Sequence, residues 1–132
     1  MTGDTQDLIK YRMSRSLETL IEAETMIKNG YWNASVNRLY YSCFYAVSGL
    51  LLKKSIETNS HKGIRKMFGL HFVHTGLVPT EYGRFFSKLY DRRQTGDYDD
   101  FVLYDEEIVM NLFNRAKEFI DKIVELTNSN NI

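Results

Sequence analysis

Arg92-Arg93-Gln94-Thr95-Gly96-Asp97-Tyr98 sets paired cations beside a glycine and an Asp-Tyr pair, in a chain whose pattern is otherwise strongly helical. Such a composition suits recognition of a phosphate rather than packing in a core, because a guanidinium offers a rigid fork of donors to anionic oxygens. Asp97 and Tyr98 stand four and five residues beyond Arg93, where a proton-handling side chain would be placed. With an unperturbed pKa near ~10, Tyr98 is a poor general base at neutral pH.

A second constellation, Arg38-Leu39-Tyr40-Tyr41, lies on the most apolar stretch of the chain. A guanidinium there needs an anionic or multiply accepting partner, and Tyr41, Ser42 and Tyr45 share its helical face. Two readings follow: Arg38 pairs with a core-edge acid such as Asp91 or Asp97, or it serves as a second cation, with Tyr41 and Arg92, for a ligand held at Arg93. Arg65 and His71 also stand in an Arg-then-His order, but on a short helix where the plain expectation is a solvated Arg65 and a partly buried His71. His71 and His74 are three residues apart with no Cys or nearby Glu to complete a set, so neither a metal site nor a cofactor is expected. The aromatic run from Tyr40 to Tyr45 reads as core and dimer packing rather than a platform for stacking bases.

Charge and composition bound the options further. The 17 basic and 17 acidic residues cancel, which argues against a broad cationic field for duplex nucleic acid. Locally the balance is uneven: residues 60–93 hold seven Lys or Arg, two acids and all three histidines, and an acidic run from Asp97 to Glu107 follows. The single Cys43 sits in an apolar stretch and reads as a small buried hydrophobe in a reducing compartment. Residues 1–6 are polar, and the longest apolar run, around Cys43 to Leu52, is too short for a bilayer. A soluble cytoplasmic protein, with no membrane partner, is expected.

These residues must be positioned by helices. Ile9, Met13, Leu17, Leu20 and Ile27 recur at helical spacing from about Asp7 to Asn29, with Gly30 as the stop. A second helix from Trp32 to about Lys54 carries Val36, Leu39, Tyr40, Cys43, Val47, Leu50 and Leu51 on one face, and its breadth of apolar surface predicts several packing neighbours. Ser60 is the expected N-cap of a shorter helix to His74, weakened by Gly63 and Gly69. Pro79 begins a fourth helix ending near Arg93, with Gly96 as its terminator. The last starts near Tyr104 or Asp105, with Ile108, Leu112, Ala116, Phe119, Ile123 and Leu126 inward, and a frayed tail over 128–132. The fold class is all-α, an antiparallel four- to five-helix bundle in one domain over residues 1–132.

Together, Arg38-Leu39-Tyr40-Tyr41 and the Arg92–Tyr98 segment resemble the small stand-alone HEPN proteins, often encoded beside minimal nucleotidyltransferases, over roughly Leu17 to Ile123. The resemblance implies a two-fold homodimer whose inter-protomer cleft, lined by Arg38, Arg93, Asp97 and Tyr98, binds RNA or a nucleotide, as the toxin-like partner of a minimal nucleotidyltransferase. In HEPN ribonucleases an Arg is followed after a few residues by a His that moves the proton; here Asp97-Tyr98 takes that place, so weak or absent cleavage is expected. In some such pairs the transferase modifies a tyrosine near the motif, which makes Tyr98 and Tyr104 exposed-loop candidates. The alternatives are a metal-independent endoribonuclease and a non-catalytic helical interaction module.

Overall fold

The computed structural model describes residues 3–98 and 104–130, with the side chains of 94–98 left aside. Helix α1 (Gly3–Lys28) turns through Gly30 into α2 (Trp32–Lys53). Gly30 adopts φ +75°, the left-handed region where glycine has no Cβ penalty, and this permits the tight antiparallel return. α1 and α2 approach closely: the Ser16 hydroxyl donates to the Ser42 carbonyl at 2.7 Å. A Cβ on Gly49 would lie 2.6 Å from the Met13 methyl and 3.3 Å from the Arg12 Cβ, so a side chain there would push Met13 aside. Leu17, expected inward, is 49% exposed. The α1 stripe that turns inward instead runs through Ile9, Ser16, Thr19 and Ala23, because close helix approach selects small side chains.

α2 is the central element and touches α1, α3, α4 and α5. Its expected inward face, Val36, Leu39, Tyr40, Cys43, Val47, Leu50 and Leu51, is buried throughout. α3 (His61–Phe68) begins at Ser60, whose hydroxyl accepts the Gly63 amide at 2.9 Å, as an N-cap does. The expected helix to His74 does not stay regular: from Gly69 to Val73 the backbone widens into a π turn, marked by the His74 amide donating to the Gly69 carbonyl at 2.8 Å.

Helix α4 (Thr80–Tyr98) is longer than its sequence suggests. Gly96 does not end it: one glycine costs about 1 kcal/mol, which an established helix tolerates while it gains a hydrogen bond per residue. The Arg92–Tyr98 segment is therefore the last turns of a helix and not a break. α5 (Glu106–Thr127) starts at Asp105, whose carboxylate accepts the Ile108 amide at 2.8 Å. Ile108 faces outward, and Val109, Leu112, Ala116, Phe119, Ile120 and Ile123 line the core.

Tyr82, Phe85 and Phe86 of α4, with Phe68 of α3, surround the fully buried Phe119 ring at centroid distances of 5.7–5.9 Å. Much of the apolar surface of α2 and of residues 82–90 packs inside the protomer, with Tyr41, Tyr45, Tyr82 and Tyr90 partly buried against the core. The large exposed apolar residues are instead Leu8, Tyr11, Leu17 and Ile21 on α1, with Tyr31, Leu70, Ile108 and Met110. Among the described residues no helix is long and apolar enough to cross a membrane. Phe119→Ala should cost about 3–5 kcal/mol, the usual penalty for emptying a close-packed aromatic site, measured as a lower midpoint in denaturant at unchanged slope.

Candidate functional site

Tyr40 is fully buried at the centre of α2, and a phenol so placed needs a partner for its hydroxyl. It finds His61, the first residue of α3, with its oxygen 2.8 Å from Nδ1. The Ser60 cap fixes that first turn and so aims the imidazole inward, where it also stacks on Phe44 at 4.5 Å. α4 supplies the third side: the Arg93 guanidinium lies 5.2 Å from the centre of the Tyr40 ring and 5.7 Å from that of Tyr90. Phe86, two α4 turns before Arg93, stacks on Tyr40 at 6.0 Å with 13° between planes. Three helices thus place a cation, a phenol and an imidazole in one cluster.

Each group is tuned by this packing. Burial raises the Tyr40 pKa well above the usual phenol range, against the opposing pull of Arg93, so Tyr40 stays protonated. Burial first, and Arg93 second, lower the pKa of His61, so its imidazole is neutral at pH 7. With Tyr40 donating, Nδ1 accepts and Nε2 carries the proton; in the other tautomer Nδ1 donates to the phenol oxygen and Nε2 is free to accept. A half-buried neutral base beside a guanidinium is a combination that can receive a hydroxyl proton next to a phosphate.

The expected site residues separate into groups. Arg93 occupies the centre. Arg38 lies at the border, its guanidinium 5.2 Å from the Tyr41 ring, whose centre is 5.2 Å from that of Tyr40. Its acidic partner is Glu22 of α1 at 3.5 Å, and its neighbour Asn37 accepts at 2.8 Å. The pairing foreseen with Asp91 is thus replaced by one with Glu22, and the side chain of Asp97 lies outside the described residues. Asp91 instead meets Arg65 at 3.7 Å, and Arg65 also covers Tyr90 at 4.4 Å. His71 lies apart in the π turn.

Arg92 turns away from Arg93 and reaches the Tyr104 ring at 5.9 Å. Tyr104 is buried, not exposed, and its hydroxyl donates to the Arg92 carbonyl at 3.2 Å; it ties the segment leading into α5 to α4. Asp97 and Tyr98 belong to the final turn of α4, and their side chains lie outside the described residues. Sequence reasoning missed His61. Its signal was there: residues 61, 64, 68 and 72 form one stripe, and the other three are Ile64, Phe68 and Phe72, all buried, so the first position of that stripe also faces inward.

An all-helical bundle with an arginine-rich α4 set against the aromatic face of α2 matches a known class. A profile of the HEPN domain matches residues 9–127, and the chain belongs to this family. Its relatives include a UPF0332 protein of Thermotoga maritima, 37% identical over 124 residues covering 94% of each chain. Another is the protein named "Putative toxin MJ0142" of Methanocaldococcus jannaschii, 32% identical over 133 residues, 95% of this chain and 90% of that one. Among solved structures, ST0689, an archaeal HEPN homologue, superposes with a TM-score of 0.72 over 91% of this chain and 98% of the other; at 18% identity that likeness bears on the fold.

The lowered pKa of His61 sets the sign of a pH effect. The unfolded imidazole titrates near ~6.5 and the folded one lower, so between the two values the unfolded chain binds more protons. The stabilisation is full above about pH 6.5 and is lost as the pH falls towards the folded pKa, where the loss levels off. Melting temperatures from pH 7.5 down to 5 should fall more steeply for the parent protein than for His61→Gln.

Proposed function

We infer that this protein is a toxin-like HEPN protein that engages single-stranded RNA through the Arg93, Tyr40 and His61 cluster. The observation that carries the reading is the guanidinium of Arg93 held against two tyrosine rings beside a neutral imidazole. Cation–π contacts orient the guanidinium, and a phosphate can be met by its edge, as fork geometry favours. The relatives named as toxins support an activity that harms a cell unless restrained, and restraint would come from a minimal nucleotidyltransferase acting on this protein in the cytoplasm.

His61 favours a second reading, cleavage of that RNA without a metal. The ribose 2′-hydroxyl would attack the adjacent phosphorus and pass its proton to His61. The new 2′-O–P bond forms as the P–O5′ bond breaks, O5′ takes a proton, and the products are a 2′,3′-cyclic phosphate and a 5′-hydroxyl end. Arg93 would offset the charge gathered on the equatorial oxygens. The missing histidine after Arg93 is then made good by one from another helix, and the low activity expected from Asp97-Tyr98 need not hold.

The working unit in this reading is a homodimer, supported by the exposed apolar residues Leu17 and Ile21 on α1. Light scattering at micromolar concentration should give twice the 15.5 kDa chain mass; a clean monomer would exclude a composite cleft. Arg93→Gln should weaken binding of a labelled single-stranded RNA by about tenfold, the scale of one charge-assisted contact. If cleavage occurs, His61→Ala should abolish it while leaving much of the binding. Unchanged affinity in a folded Arg93→Gln protein would sink the RNA reading.

A further inference from the structure

Tyr40 and His61 share one hydrogen bond, 2.8 Å between the phenol oxygen and Nδ1. Which of the two gives the proton decides what the other ring nitrogen, Nε2, can do. Tyr40 is fully buried, and burial keeps its phenol protonated against the pull of Arg93. Among the described residues its hydroxyl has no second hydrogen-bond partner, and neither has the His61 ring. Were Nδ1 the donor, the phenol proton would be left inside the protein without an acceptor. A buried donor left unmade carries its full desolvation cost, so the arrangement in which Tyr40 donates is favoured by roughly tenfold or more.

The imidazole is also held in place. It stacks on Phe44 at 4.5 Å and meets the Tyr41 ring edge-on at 5.6 Å, with 82° between planes. Nδ1 is taken by Tyr40, and Nε2 of this half-buried residue is the nitrogen left for an outside ligand. The guanidinium of Arg93 lies over the same Tyr40 ring at 5.2 Å and offers donors alone.

We propose that Tyr40 is a positioning residue: by donating to Nδ1 it keeps the imidazole proton on Nε2, so that His61 and Arg93 act as a pair of hydrogen-bond donors to an RNA phosphate. That role rests on the reading of this cluster as the RNA site, and it separates the two forms of that reading. A ring with a proton on Nε2 and an occupied Nδ1 has no lone pair for a ribose hydroxyl proton, so it holds RNA without cutting it. Cleavage with His61 as the base would require the other tautomer and the loss of the bond donated by Tyr40.

The tautomer is read without RNA, from nitrogen-15 spectra of the imidazole in the full chain near neutral pH. Nδ1 should resonate as an unprotonated, hydrogen-bonded nitrogen and Nε2 as a protonated one. Tyr40→Phe, which keeps the ring and removes the hydroxyl, should draw the two shifts together as both tautomers become populated. The opposite pattern in the parent protein, or the same shifts in Tyr40→Phe, would overturn the proposal. Binding of a labelled single-stranded RNA then tests the donor role. A glutamine amide can accept from Tyr40 and donate outward but cannot take up a proton, so folded His61→Gln should bind as tightly as the parent. His61→Ala should lose about threefold, the scale of one neutral hydrogen bond. Equal losses in the two variants, or metal-independent cleavage by the parent that His61→Gln abolishes, would also overturn it. If the parent binds no RNA, the RNA reading fails and the donor role with it, while the tautomer set by Tyr40 stands or falls on the spectra.

Discussion

The buried phenol of Tyr40 is the constraint on which the arrangement depends. A tyrosine in the middle of the central helix, without exposed surface, must satisfy its hydroxyl inside the protein, and the first turn of α3 is brought to it, where His61 meets it at 2.8 Å. That contact fixes where α3 begins. The same ring presents its faces to α4, and Phe86 and Arg93 take them. One side chain thereby sets the mutual position of three helices, and the candidate site is the consequence of that packing rather than an addition to it.

The cations near the site follow a common rule. Arg38, Arg65 and Arg93 each lie over a tyrosine ring, Tyr41, Tyr90 and Tyr40 respectively. A guanidinium is more weakly hydrated than an ammonium and tolerates such a surface, so the α2 and α4 tyrosines hold positive charge without neutralising it. The carboxylates that do approach, Glu22 on Arg38 and Asp91 on Arg65, sit at 3.5 and 3.7 Å and are partly exposed, a geometry worth roughly 0–1 kcal/mol. Burial first, and the charge of Arg93 second, hold the His61 imidazole below its usual pKa.

Much of the fold was legible in the sequence because its signals are local. Ser60 and Asp105 capped helices where their side chains predicted, Gly30 turned the first hairpin, and the apolar face of α2 was buried as its spacing required. The errors came where tertiary packing overrode local preference. Gly96 did not stop α4, and Gly69 opened a π turn in place of a weakened α-helix. Of the residues in the cluster, the sequence singles out Arg93 and not His61. A search for a histidine soon after an arginine assumes that both lie on neighbouring turns, whereas His61 reaches the cluster from 32 residues earlier, through a tyrosine on a third helix.

The most direct measurement of the account is the imidazole nitrogen spectrum of His61, recorded at fixed pH while a short single-stranded RNA is added. The Nδ1 and Nε2 shifts of the parent protein should report a neutral ring bonded to Tyr40 and should move saturably with RNA, whereas those of Arg93→Gln should move little. His61 resonances that stay still while RNA perturbs other parts of the chain would contradict the assignment of the Arg93, Tyr40 and His61 cluster as the site.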